Sequence, residues 1–381
     1  MFSPGNIVAA LGTLEAMWSG PRDNMPVSKK AEVQEEKSEW PGAVKRKVRY
    51  GPIRLPPTSE PNLESMIMKV QGMGYGFKMN ARKPCDDDCT ILALQATLEF
   101  ADGSPAENDK GAWFHHSTLI SAGPNARTIT CGWPVPVENL FMSGNEKSSV
   151  IFSLPANETG VRSGYHIGPY ETFVLHAKLM NLEDAEKFVW ITISYDVLPG
   201  DLKKEIKVGR MLWQSLDTSD TSMCTGAVNP FGPLNVTAMM QPIRRRFSEH
   251  TIPWTAPNDG TILLTGGHMH DGGISVDTVH NGQTICESVA QYGRRAGNAG
   301  SEGPGHGGHS RRQIPAGDYN NMDIDHILEQ TRCIYSKGRS LKKGDKLWIR
   351  ANYDFDKHPG MKNQKGELDE IMGIVGTLIA T

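Results

Sequence analysis

Long apolar runs are absent: the longest stretches, such as Ile371 to Ala380, fall short of the roughly 20 residues that a membrane-crossing helix needs, so no membrane span is expected. An excess of charge of one sign is also lacking. Lys and Arg number 40 against 43 Asp and Glu, a net charge of −3 with a pI near 6.5, which argues against a general nucleic-acid binder. None of the six cysteines stands in a Cys-x-x-Cys pair, which disfavours a zinc ribbon or a thioredoxin-type site. There is no GxSxG elbow and no P-loop, and the GxGxxG spacing of GPGHGG at 303–308 falls in a Gly-rich run and not between a strand and a helix, so nothing points to an α/β-hydrolase, a nucleotide triphosphatase or a dinucleotide enzyme. Few windows hold helical spacing for three turns, which disfavours helical bundles.

What the chain does have is length, turns and alternation. Its 381 residues are long enough for two or three domains at roughly 150 residues each. Forty glycines and 24 prolines favour many turns. Period-two alternation recurs: Phe173, Leu175, Ala177 and Leu179 share one face, opposite Val174, His176, Lys178 and Met180. Val189, Ile191, Ile193, Tyr195 and Val197 form a second apolar face, and Leu347, Ile349, Ala351, Tyr353 and Phe355 a third. These patterns predict an all-β protein. The polar segment 1–45 reads as a flexible leader or arm, and a break at Leu198-Pro-Gly-Asp-Leu-Lys-Lys suggests one β-sandwich over 46–212 and another over 213–381. Residues 293–321 are Gly-rich and basic and read as a long loop. Six cysteines and the sequons at Asn157 and Asn235 point to a glycosylated, secreted protein, although Met1 to Gly20 lacks a basic n-region and its apolar stretch is broken by Glu15; the alternative is cytoplasmic.

Among the twelve histidines, two motifs stand out. In TILLTGGHMH, a strand would put Ile262, Leu264, Gly266, His268 and His270 on one face, so that two imidazoles converge where flanking glycines leave room for a ligand. The plainer reading is a surface His-x-His turn. His115-His116 in AWFHHSTLI would point to opposite faces of a regular strand, and both reach one metal only if a bulge or local twist intervenes.

Beyond these motifs, GHMHDGGISVDTVHNGQTI, KKGDKLWIRANYDF and ELDEIMGIV resemble the copper type II, ascorbate-dependent monooxygenases, the group of peptidylglycine α-hydroxylating and dopamine β-monooxygenases. A closer resemblance covers nearly all of 48–381 and is to fungal and plant proteins of the stress-up-regulated nodulin family, carried by VRYGPIRLPP, KPCDDDCT, WFHHSTL, SGNEK, LMN, GGHMHDGG and MGIV. The resemblance implies two jelly-roll-like sandwiches with a copper in each, facing across a solvent cleft. His268, His270 and Met372 would hold the oxygen-activating copper, the thioether favouring the cuprous state. His115 and His116 would hold an electron-storing copper, fed by an external reductant such as ascorbate.

This chain departs from that pattern in two places. The resembling enzymes take a third histidine from the strand near 173–181, where alignment places Lys178; His176, two residues earlier, and His166 are the alternatives. They also carry an arginine two residues before His-x-His to grip a substrate carboxylate; Gly266 stands there, so glycine-extended peptides are not expected substrates. Among the cysteines the resemblance implies Cys85 or Cys89 with Cys131, and Cys286 with Cys333, while the run CDDDC by itself reads as a disulfide-anchored acidic turn. His306 and His309 read as loop residues, His326 as an anchor or a support for the ligands, and Arg244-Arg245-Arg246 as a solvated edge. The function these features predict is copper-dependent hydroxylation of a C–H bond of a small molecule, by a monomer or weak dimer. The alternatives are a non-catalytic copper protein of stress response and a zinc hydrolase using His-x-His with Asp271.

Overall fold

The computed structural model describes residues 25–61, 71–130, 136–144, 147–154, 161–216, 245–293, 326–360 and 371–381. The chain is all-β there; the described residues form strands and one short 3₁₀ turn at Asn108–Lys110. In chain order the strands are β1 (Val33–Lys37), β2 (Val44–Leu55), β3 (Met73–Ala81), β4 (Cys89–Glu99), β5 (Ala112–Ala122), β6 (Val137–Gly144), β7 (Val150–Ile151), β8 (Ser163–Ile167), β9 (Thr172–Asn181) and β10 (Lys187–Pro199). They continue with β11 (Lys207–Ser215), β12 (Arg246–His250), β13 (Trp254–Thr255), β14 (Gly260–Met269), β15 (Gly273–His280), β16 (Gln283–Gly293), β17 (His326–Gln330), β18 (Arg332–Leu341), β19 (Lys346–Asp354) and β20 (Gly373–Ala380).

The alternating faces become the inner faces of sheets. Phe173, Leu175, Ala177 and Leu179 of β9, with Val189, Ile191, Ile193, Tyr195 and Val197 of β10, are buried in one core. That core lies between the four-stranded sheet β3-β9-β5-β6 and the run β1-β2-β10-β4-β8 of a ten-stranded sheet. The ten-stranded sheet then continues as β11-β20-β14-β18, which packs on the sheet β12-β19-β15-β16-β17 through Met269, Val276, Ile349, Ala351, Tyr353 and Val375. Among the described residues every strand pairing is antiparallel except the short parallel contact of β8 with β11, which joins the two runs.

Part of the segment expected to be a flexible arm is strand: β1 pairs with β2 from Val33↔Val48 to Lys37↔Val44, while residues 1–24 lie outside the described ones. The expected division at 212/213 falls within β11, which pairs with β20 along its length. The main core is correspondingly continuous, with Phe152 and Tyr165 in the same cluster as Met211, Trp213, Leu264, Met372 and Ile374. Cys286 is bonded to Cys333 as the resemblance implies, but Cys85 is bonded to Cys89 rather than to Cys131. The four-residue separation closes the acidic turn before β4, with 6.4 Å between the two Cα atoms, within the range a disulfide spans. Two disulfides fit an oxidising compartment such as the secretory route. No helix among the described residues is long and apolar enough to cross a membrane. The loop 293–321, beyond Gly293 itself, lies outside the described residues, as do both sequons and Arg244.

One buried acid sets a pH dependence. Glu138 on β6 accepts hydrogen bonds from the Arg127 backbone N–H and the Arg210 guanidinium, yet burial dominates and raises its pKa from 4.5 to about 7. The native state therefore holds a proton that the unfolded chain releases, and this contribution is fullest below pH 4.5 and lost as pH rises through 7. Glu138→Gln is expected to gain stability relative to the parent by about 3 kcal/mol across that window. Parallel profiles of melting temperature against pH for the two proteins would refute the assignment.

Candidate metal centre

The His-His pair owes its geometry to a bulge. β5 pairs with β9 as Trp113↔Met180 but as His116↔Lys178, a slip of one residue between Trp113 and His116. The extra residue re-aims neighbouring side chains, so the rings of His115 and His116 lie 4.0 Å apart instead of on opposite faces. β14 is bulged as well, between Ile262 and Leu264, in its pairing with both neighbours. Ile262 consequently leaves the face expected for it and packs with Leu212, Leu341 and Ile379. Leu264, Gly266 and His268 keep theirs.

The two motifs meet. His270 Nε2 faces His116 Nε2 at 3.4 Å, and the two rings are stacked at 5.5 Å with 6° between their planes. Ligand atoms of His115, His116 and His270 all lie within 4.8 Å of one another. His268 stands edge-on beside them, 5.8 Å from His116 and 5.7 Å from His270. Four imidazoles, contributed by β5 and by the end of β14, thus lie side by side. Met372 lies across from His270, whose N–H donates to the Met372 carbonyl at 3.3 Å, one step beyond the Met269↔Gly373 pair. Tyr353 clamps that backbone: its hydroxyl donates to Met372 O and accepts from Met372 N–H.

The strand of β9 supplies no imidazole to this group. Opposite His116 stands Lys178; His176 is opposite Thr118, two pairs further along, packed against Tyr75 and Phe77 at 5.6 and 6.4 Å. Burial, and then Lys178, lower the pKa of His176 to about 4. His166 is committed elsewhere, its Nδ1 to the Thr90 hydroxyl and its Nε2 to the Ile206 carbonyl. Asp271, the residue after His270, accepts from the Ile327 N–H at 3.0 Å and so ties β17 to the site. The side chain of His326 and the loop residues His306 and His309 lie outside the described residues.

The donor set fits a metal ion. Burial, reinforced by the neighbouring imidazoles and Lys178, lowers the pKa of His115 and His116 well below the ordinary value, so both offer lone pairs at neutral pH. His115 Nδ1 is buried without a hydrogen-bond partner among the described residues, a cost that a bound cation would relieve. Converging imidazoles suit copper, zinc, iron or nickel rather than the hard cations. Beside the cluster, Trp113 packs edge-on against His115 at 5.9 Å, and the Lys178 ammonium lies 5.5 Å from the Tyr75 ring centre. Tyr75 stands outside the histidine motifs, on β3.

No protein-family profile matches the chain. Among solved structures, the major capsid protein P2 of bacteriophage PM2 matches over 88% of this chain and 97% of its own at 8% identity, with a TM-score of 0.29, too weak a likeness to bear on fold or activity. Curated sequences are more informative. A protein of Phoma sp. named a probable copper-dependent oxygenase is 26% identical over 333 residues, covering 86% of this chain and 70% of its own. A second of that name, from Cochliobolus lunatus, is 25% identical over 285 residues, covering 74% and 76%. The chain is thus a distant relative of proteins named copper-dependent oxygenases, and this supports an oxygenase-like function that uses copper.

Proposed function

We propose that this protein is a copper-dependent oxygenase acting on a small molecule, with one copper held by His115, His116 and His270 and with His268 and Met372 completing its surroundings. The observation that carries the reading is the convergence of three imidazole ligand atoms within 4.8 Å. Copper, when bound, would supply one-electron chemistry toward dioxygen, and an external reductant would return the electrons. The chain's own side chains prepare that place. His115 and His116 are kept neutral by burial, Trp113 covers His115, and Tyr353 fixes the backbone that carries Met372, whose thioether is suited to cuprous copper. Lys178 puts a positive charge opposite His116, where a second copper would need a donor. Membership of the nodulin branch and a secreted location accord with this reading.

Copper content after removal of loosely held metal is the test, with Lys178→His alongside. One copper per chain is expected in the parent, and a second copper in Lys178→His. Two coppers in the parent would restore separated centres, and tightly held zinc with no uptake of copper would overturn the reading. A non-catalytic copper protein is the second reading, favoured by Lys178 where a ligand would complete an electron-storing site. It predicts one copper without ascorbate-driven consumption of dioxygen.

A further inference from the structure

The register of β9 decides where the charge of Lys178 lies. Lys178 is the direct partner of His116 on β5 and of Tyr75 on β3. Directly opposed residues of antiparallel strands share a face, with Cβ atoms about 4.5–5.5 Å apart, so the lysine stem rises beside the imidazole of His116. On its other side the ammonium lies 5.5 Å from the centre of the Tyr75 ring. The half-buried cation thus stands between an aromatic ring and the histidine cluster. It is close enough to push the pKa values of His115, His116 and His176 down.

No acid balances this charge. Among the described residues the Lys178 ammonium makes no ion pair; its contact is the face of Tyr75, which holds a cation without neutralising it. The charges acting on His115 and His176 are those of Lys178 and of neighbouring imidazoles, with no carboxylate among them. Asp271, the carboxylate next in sequence to His270, accepts from the Ile327 N–H and acts on Tyr292 instead. The donors themselves add nothing negative, because His115 and His116 are neutral imidazoles and the Met372 side chain is an uncharged thioether.

From this arrangement we infer that Lys178 tunes the metal centre: its uncompensated positive charge favours the singly charged cuprous ion over the doubly charged cupric one and so raises the reduction potential of the copper. The inference rests on the copper centre proposed above and adds to it a residue that acts on the ion through space, without ligating it. Reduction takes one electron from the external reductant and lowers the ion's charge from two to one, which relieves the repulsion from the ammonium by one unit of charge. At an effective dielectric of about 20, that unit at roughly 10 Å shifts the cupric-to-cuprous balance by at least about tenfold. A half-buried charge is also screened by salt less than an exposed one. The thioether of Met372 would act in the same direction through softness, which depends on a bond. The effect of Lys178 follows charge and not shape, and this separates the two.

Reduction potentials of the copper-loaded parent, Lys178→Leu, Lys178→Gln and Lys178→Arg test the inference, read beside cuprous and cupric affinities from chelator competition. Both neutral variants are expected to lose at least about tenfold in the ratio of cuprous to cupric affinity, a fall in potential of about 59 mV for one electron. Lys178→Arg keeps the charge in another shape and should stay within about twofold of the parent ratio. Copper content should be unchanged in all three variants, since no ligand is removed. Agreement between leucine and glutamine, which differ in shape and polarity but not in charge, excludes a packing effect. Neutral variants at the parent's potential, or an arginine variant that falls as far as they do, would overturn the inference and leave the copper centre standing. A parent chain that takes up no copper would sink the inference together with the copper reading.

Discussion

His270→Ala is expected to strip the chain of all its tightly held copper, not half of it. The reason is the sharing of one site between motifs far apart in sequence: the ligand atoms of His115 and His116 on β5 and of His270 after β14 lie within 4.8 Å of one another. Were the two pairs independent, removing His270 would leave a copper on His115 and His116. As a single cluster, loss of one of three imidazoles should lower affinity by more than the roughly 10–100-fold that losing an outer partner costs. His116→Ala should behave the same way. His176→Ala is the contrast, because that ring packs on Tyr75 and Phe77 and lies outside the group; its copper content should match the parent's. The His270 side chain is half-buried, so the fold should survive its truncation and melting temperatures should stay close. Copper retained at half occupancy in His270→Ala would return the protein to two sites, and full retention would remove His270 from the ligand set.

Much of this was legible in the sequence, and the part that was not has an identifiable cause. Alternation marked the inner faces of β9, β10 and β19 residue by residue, because a strand half-buried in a sandwich must repeat with period two. The histidine pairs and Lys178 were visible as residues, and the need for a bulge at His115-His116 followed from strand geometry alone. Whether a bulge was there could not be read, since it is set by how β5 registers against β9, some sixty residues away. The second bulge, at Ile262, was missed for the same reason and moved that residue to another cluster. Convergence of β5 with β14 depends on a sheet that runs through both halves, an outcome of non-local pairing. The disulfide that anchors CDDDC joins Cys85 to Cys89, a pairing that the resemblance, with Cys85 or Cys89 bound to Cys131, pointed away from.

Met372 separates packing from ligation, and two substitutions together decide between them. The residue is 1% exposed within the main core, so Met372→Ala opens a cavity and should cost about 2–5 kcal/mol whether or not the sulfur meets a metal. A loss of activity in that variant would say little. Met372→Leu conserves volume and should cost less than about 1.5 kcal/mol, leaving the Tyr353 clamp in place because that contact uses only the Met372 backbone. If the thioether is a donor to copper, Met372→Leu should hold cupric copper nearly as well as the parent, while cuprous copper passes to a competing chelator at least about tenfold more readily, because soft sulfur favours the reduced ion. Competition with a chromophoric cuprous chelator, read beside denaturant unfolding of the same samples, checks both halves at once. Unchanged cuprous affinity in a folded Met372→Leu protein would make Met372 a core residue, leaving the cluster with imidazoles alone and the cuprous state without its soft donor.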